Sequence, residues 1–130
     1  MNMPKILYLP TSGHTENVFK PEVFERFQNR FDVTLNQTGT NYTSDKVAEM
    51  IAGFDGIVTG WGTPLITEQV MQNADALRII AHSAGSVKGL VGSVAQKYIV
   101  PRGICVFSAN QAIAFNVAES TIGMIIMTSR

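Results

Sequence analysis

Short apolar runs alternate along this chain with segments whose apolar residues recur at helical spacing. Each run is closed by glycine, proline or small polar residues, which is typical of a buried strand. The predicted strands cover residues 5–9, 31–35, 54–59, 77–81 and 104–107. Because strands that alternate with helices are joined by right-handed crossovers, the pattern predicts a doubly wound α/β fold. It has a five-stranded parallel sheet with helices on both faces.

Helix signals lie between the predicted strands. Pro21 suits the first turn of a helix over residues 21–29, and Thr43 or Ser44 is expected to cap a helix that ends before Gly53. Thr67 is expected to cap the next helix. Two further helices are predicted over residues 89–98 and 116–130.

Composition excludes several classes of partner. The 130 residues, enough for one domain, carry ten basic and ten acidic side chains, and no basic patch indicates nucleic-acid binding. No apolar run approaches the ~20 residues that span a membrane. Charged residues make up 15% of the chain, against about 25% in an average globular protein. We therefore expect another domain or subunit to cover part of the surface.

The single cysteine, Cys105, lies inside a predicted strand and is expected to be a small core residue. One cysteine excludes a disulfide framework, and the N-terminus has no signal-peptide pattern. Both features favour a cytoplasmic protein.

Small residues follow the fourth predicted strand, at Ser83, Ala84, Gly85 and Ser86. A backbone without bulky side chains allows close approach, and free N–H groups hold anions. Ligands of open α/β sheets bind beyond the carboxyl ends of the strands. This turn is therefore our candidate site for a small carboxylate, and the alternative is a tight turn without a ligand.

Three other strand-end residues carry chemistry. His14 is either a substrate contact or, as we favour, a solvated loop histidine beside Thr11 and Ser12. For His82 we favour a structural, hydrogen-bonded role over substrate orientation. Trp61 is either a rim aromatic or a wall of the ligand site. The spacing supports no metal site or catalytic triad, and there is no G-x-G-x-x-G or P-loop.

The C-terminal segment is helical in pattern and apolar on nearly every side. Such a helix is normally buried, so a second domain or another copy of the chain is expected to cover it. We expect a homo-oligomer.

Three segments carry a family resemblance: His82-Ser-Ala-Gly-Ser-Val-Lys-Gly-Leu90, Arg102-Gly-Ile104 and Val117-Ala-Glu-Ser-Thr121. Their order resembles the N-terminal half of D-isomer-specific 2-hydroxyacid dehydrogenases, nearest the glyoxylate and phosphoglycerate dehydrogenase-like branch. Ile113 stands where that family often has Asn. The resemblance implies a flavodoxin-like substrate (catalytic) domain over residues 1–115. Residues 116–130 would begin an inter-domain helix that leads to an NAD-binding Rossmann domain outside this chain.

The resemblance also implies roles for single residues. Gly85 and Ser86 would hold the substrate carboxylate, Ser83 and Ala84 would shape the turn, and Val117 would lie nearest the nicotinamide of NAD or NADP. The family's catalytic arginine, acid and histidine lie in the second domain, so no catalytic residue is assigned here.

The resulting prediction is the substrate-side domain of an NAD(P)-dependent D-2-hydroxyacid dehydrogenase, binding a small 2-hydroxy or 2-oxo acid and inactive alone. The alternative is a stand-alone flavodoxin-like binding or oligomerisation module without catalysis. A response-regulator receiver is disfavoured because no acidic cluster follows the first strand.

Overall fold

The computed structural model describes residues 3–129, which form one five-stranded parallel sheet with flanking helices. The strands are β1 (Lys5–Tyr8), β2 (Asp32–Leu35), β3 (Gly56–Thr59), β4 (Ile79–His82) and β5 (Cys105–Ser108). The helices are α1 (Ser12–Val18), α2 (Pro21–Arg30), α3 (Ser44–Met50), α4 (Glu68–Asn73), α5 (Lys88–Val94) and α6 (Asn110–Thr128).

The strand order is β2-β1-β3-β4-β5, and every neighbouring pair is parallel. This is the flavodoxin-like order, in which the winding direction reverses between β1 and β3. The predicted fold class is confirmed.

Side-chain caps begin three of the helices. The hydroxyls of Thr11, Thr43 and Thr67 accept from the backbone N–H three residues further on, and Pro21 occupies the first turn of α2. A threonine at this position satisfies one of the N–H groups that a helix start leaves unpaired. The predicted caps at Thr43 and Thr67 are confirmed.

The main hydrophobic core lies on one face of the sheet. Leu7, Ile57 and Ile80 project from the three central strands and are at most 1% exposed. Side chains of α3, α4 and α5 complete this core, including the fully buried Val47, Val70 and Val94. Parallel sheets need such cover because their strands are apolar throughout.

The opposite face is only partly covered. Phe24 and Phe27 of α2 pack on Tyr8 with ring centroids 5.3 and 6.2 Å apart. Beyond them an apolar groove of about 460 Å³ extends to Phe107, whose side chain is 58% exposed. Cys105 lies on the same face of edge strand β5 and is exposed. Its predicted burial is wrong because no described helix packs over that part of the sheet.

Several boundaries differ from the sequence prediction. α1 occupies a segment that was expected to be a loop, and α6 begins at Asn110 instead of residue 116. The helix expected over residues 89–98 consists of α5 followed by a π-helical turn, Ala95–Ile99. β4 extends to His82, so that histidine ends the strand instead of following it.

Every residue of α6 is exposed within the described part of the chain. Met127 is 78% exposed and Ile125 61%, although these side chains are strongly apolar. The helix has no polar side to face water, and helices of this kind are usually covered by another domain or another protein chain. Among residues 3–129, no helix has the length and apolar character that crossing a membrane requires.

Candidate functional site

Four loops meet at the carboxyl edge of the sheet because all strands run in the same direction. They are the start of α1 after β1, residues 60–63 after β3, residues 83–87 after β4, and Ala109–Asn110 after β5. The reversal between β1 and β3 opens a crevice at this edge, which is where open α/β sheets bind ligands.

The turn after β4 is anchored at its first residue. Ser83 donates its backbone N–H and its hydroxyl to the carbonyl oxygen of Thr59, both at 2.9 Å. The backbone N–H groups of Ala84, Gly85 and Ser86 meet no acceptor within residues 3–129. Three consecutive amide donors beside the edge of the sheet are therefore left without a protein acceptor, and runs of such donors can hold anions.

Gly85 has no side chain, which leaves room beside the turn. Its φ is not in the left-handed region, and a Cβ placed on it would lie 3.6 Å from Oδ1 of Asn110, an ordinary contact. Asn110, the first residue of α6, therefore lies beside the turn. Ser86 is exposed and Ala84 is buried, so the turn runs from the core to solvent.

His14 is buried, with 5% of its surface exposed, and it connects two loops. Its Nε2 lies 2.8 Å from Ser83 Oγ, and its Nδ1 accepts from the backbone N–H of Trp61 at 3.4 Å. The expectation of a solvated loop histidine is wrong. Burial lowers the pKa of His14, and the charge of His82 lowers it further.

His82 has the structural role that we favoured. Its Nδ1 lies 2.8 Å from the hydroxyl of the fully buried Thr59, and its backbone oxygen accepts from Ala109. Burial lowers its pKa, so the neutral form is favoured.

Trp61 stands at the rim of the crevice, with 58% of its surface exposed. Its ring meets the His14 ring edge-on, with centroids 4.8 Å apart and an interplanar angle of 86°. A Cβ placed on the neighbouring Gly60 would lie 2.5 Å from Nε2 of His14. Glycine at position 60 therefore lets the imidazole pass close to the backbone of the loop after β3.

Val117 lies apart from these loops. It is 57% exposed on α6, seven residues after Asn110, which corresponds to roughly 10 Å along the helix.

The cluster around the crevice contains Trp61 and the Ser83 turn. It also contains three residues that the sequence did not assign to a site: His14, Thr59 and Asn110. Asn110 lies three residues after the fifth predicted strand, and this position is the one sequence signal for it.

A metal site is not indicated at this edge of the sheet within residues 3–129. In the described part of the chain, no group of three His, Cys, Asp or Glu side chains is placed to hold a metal ion. The arrangement offers neutral hydrogen-bond donors beside an exposed aromatic side chain at the rim, a combination found in sites for small organic molecules.

Comparisons with known proteins place the chain among dehydrogenases. The model of the D-isomer specific 2-hydroxyacid dehydrogenase catalytic domain matches residues 14–128. The crystal structure of the PH0520 protein from Pyrococcus horikoshii is similar, with 28% sequence identity and a TM-score of 0.69 over 95% of this chain. A comparison with curated protein sequences gave no match.

A second solved structure shares the fold at 18% identity and a TM-score of 0.57 over 74% of this chain. It is a putative D-isomer specific 2-hydroxyacid dehydrogenase, NAD-binding, from a Polaromonas species. The matched regions make up 32% of the Pyrococcus chain and 28% of the Polaromonas chain. Because the family model spans nearly all of the described residues, this chain belongs to the D-isomer specific 2-hydroxyacid dehydrogenase family and corresponds to its catalytic domain.

Proposed function

We propose that this chain is the substrate-binding part of an NAD(P)-dependent D-2-hydroxyacid dehydrogenase and that it holds the carboxylate of a small 2-hydroxy or 2-oxo acid. The observation that carries the proposal is the run of backbone N–H groups from Ala84 to Ser86 without a protein acceptor in residues 3–129. The run lies at the edge where this fold binds ligands, and the family match supports the substrate class.

In this proposal each residue of the site has a separate role in binding the acid. The N–H groups of Gly85 and Ser86 bind the carboxylate, while Ser83 and Ala84 fix the turn from the sheet side. Trp61, exposed at the rim, forms a wall that excludes water from one side of the acid. A bound carboxylate would place the carbon next to it at a fixed distance from the turn, which is the orientation that a transfer at that carbon needs.

In this proposal the cofactor contacts the chain only at helix α6. NAD or NADP would supply or accept the hydride, and the exposed Val117 on α6 offers an apolar side chain to the nicotinamide. The sequence contains no G-x-G-x-x-G loop to hold a pyrophosphate. We therefore assign residues 1–115 to substrate binding and residues 116–130 to the start of a connection to a Rossmann domain. We also expect no turnover from the chain alone.

The site is tested by titrating the ¹⁵N-labelled chain with glyoxylate and following the backbone amide signals. The signals of Gly85 and Ser86 are expected to shift together, and methyl glyoxylate, which lacks the charge, is the control ligand. Gly85→Pro removes one donor, while Gly85→Ala keeps it and is the matched control. Folding of both variants is checked by circular dichroism. Shifts that occur elsewhere, or none at all, would contradict the proposal.

Inactivity is tested separately by mixing the purified chain with NADH and either glyoxylate or hydroxypyruvate. We expect no NADH consumption above the rate without protein. Sustained reduction of either acid would show that the chain carries its own catalytic groups.

A second candidate function, an assembly module, is favoured by α6 alone. Its apolar side chains are exposed on all sides within the described residues. In this reading the helix packs against its copy in a second chain, and light scattering would report a dimer or larger species. A clean monomer at moderate concentration would remove this candidate and leave the substrate-binding proposal unaffected.

A further inference from the structure

We propose that His14 is a positioning residue, which holds the loop after β3 and the turn after β4 in one fixed relation. It does so in its neutral form with hydrogen on Nε2. His14 lies on α1, so a single side chain joins the carboxyl ends of β1, β3 and β4. No role was assigned to it by the family resemblance. The inference rests on the proposed function only where it concerns ligand binding.

The hydrogen-bond pattern fixes the form of the ring. Ser83 donates its hydroxyl hydrogen to the carbonyl oxygen of Thr59, because a carbonyl oxygen only accepts. The 2.8 Å contact between Ser83 Oγ and His14 Nε2 therefore requires the hydrogen on Nε2. Nδ1 accepts from the Trp61 N–H and must be bare. One neutral tautomer satisfies both contacts. A protonated ring would carry a hydrogen on Nδ1 as well, which would point at the N–H of Trp61.

The surroundings favour this neutral form. His82, at the end of β4, is the ionisable side chain whose positive charge would lower the pKa of His14, and burial lowers the pKa of His82 as well. The loop after β3 presents the uncharged Trp61. The absence of a Cβ at Gly60 allows the imidazole to sit between the loops without displacing either.

The consequence concerns the candidate carboxylate site. Ser83 is the first residue of the turn that exposes the free amides, and Trp61 is the proposed wall on the other side. Because each contacts a different nitrogen of the same ring, the imidazole bridges wall and turn in addition to the two hydrogen bonds from Ser83 to Thr59. A loss of His14 would leave both loops folded but without the link between Trp61 and Ser83.

The two contacts can be separated by substitution. His14→Gln places an amide nitrogen where Nε2 lies and keeps a donor for Ser83, whereas His14→Asn places a carbonyl oxygen near Nδ1 and keeps an acceptor for Trp61. His14→Ala removes both. Thr15→Ala is the matched control, because it removes a hydrogen bond of α1 to Tyr8 without touching either loop.

Amide hydrogen exchange of the chain without ligand gives the first readout. We expect about a fivefold faster exchange where a hydrogen bond is lost, the factor that one ordinary bond provides. The Trp61 amide should lose protection in His14→Gln and His14→Ala, which remove its acceptor, and keep it in His14→Asn and Thr15→Ala. Equal loosening of the Trp61 amide in the Gln and Asn variants, or no change of this amide in His14→Ala, would overturn the proposal.

Fluorescence gives a readout that a merely structural role would not move. Trp61 is the only tryptophan, and its ring lies against His14. Because a protonated imidazole quenches indole emission, acidification should dim the protein with a midpoint below the ordinary histidine pKa of 6.5. The transition should disappear in His14→Gln. A transition that persists in that variant would assign the quenching to another group and overturn the neutral-tautomer assignment.

Ligand titration separates this inference from the proposed function. If glyoxylate shifts the Gly85 and Ser86 amides of the wild type, His14→Ala should weaken the binding about tenfold and Thr15→Ala should not. Binding that is unchanged in His14→Ala would overturn the positioning role. If the wild type does not bind glyoxylate, the proposed function fails, and the exchange and fluorescence results still decide the role of His14.

Discussion

Replacing Gly60 by alanine should destabilise the protein only while His14 is present. The added Cβ would lie 2.5 Å from Nε2 and 2.7 Å from Cε1 of the imidazole, too close for either pair of atoms. The ring must then leave its place between Ser83 and Trp61. In a His14→Ala background the space is vacant, and φ at position 60 is not in the left-handed region.

The size of the effect follows from the contacts that the ring gives up. Two hydrogen bonds contribute about 0.5–1.5 kcal/mol each, and the edge-on contact with Trp61 a similar amount. The lost contacts add up to roughly 1.5–4.5 kcal/mol, so Gly60→Ala should lower the free energy of unfolding of the wild type by this amount less the small gain from alanine. In His14→Ala the same substitution should raise it by about 0.4–1 kcal/mol, since alanine restricts the unfolded chain.

Urea unfolding of the four proteins of this double-mutant cycle, followed by circular dichroism at pH 7.5, measures both values. Gly85→Ala is the control, because its Cβ makes an ordinary 3.6 Å contact, and its effect should stay within about 0.5 kcal/mol. An equal loss of stability from Gly60→Ala in both backgrounds would refute the reasoning, because the loss would then not pass through the imidazole.

Three further predictions concern stability. Burial holds the pKa values of His14 and His82 below the ordinary 6.5, so the unfolded chain is protonated first. The free energy of unfolding should therefore fall as the pH drops below about 6.5 and level off below the folded pKa values; urea titrations that give a constant value from pH 7.5 to 5 would contradict this. Thr59→Val leaves Nδ1 of His82 unpaired and should cost about 1–3 kcal/mol in the same assay, whereas Thr59→Ser should retain the bond. Arg102→Met removes the two donors to the carbonyl oxygens of Met71 in α4 and of Ala74 just after it, and should lower the thermal midpoint by several degrees, while the exposed Arg26→Met should leave it unchanged.

The sheet was predictable because its strands are short, apolar and separated by helix-length segments. Periodicity reports burial on a regular element, and residues 5–9 or 54–59 show it within a few positions. Helix α1 gave no such signal, since its sequence Ser12–Val18 has no apolar stripe and buries only His14. The helix begins at the Thr11 cap, and a single capping residue is a weaker sign of a helix than an apolar stripe.

The candidate site was predictable only as a location. The direction of parallel strands brings strand-end residues to one edge, so the Ser83 turn and Trp61 were expected near one another. The burial of His14 was not predictable, because its partner Ser83 lies 69 positions away in the chain. The exposure of Cys105 was missed because strand pattern does not reveal which face of an edge strand is left without a helix.

Helix α6 has the mechanical properties of a lever. Its base is tied to the end of β4, where Ala109 donates to the His82 carbonyl oxygen and Asn110 lies beside Gly85. Nineteen residues make the arm about 28 Å long, so a rotation of about 10° at the base moves the far end by roughly 5 Å. A shift at the turn too small to change the fold would thus be transmitted, enlarged, to whatever surface packs against the tip of the helix.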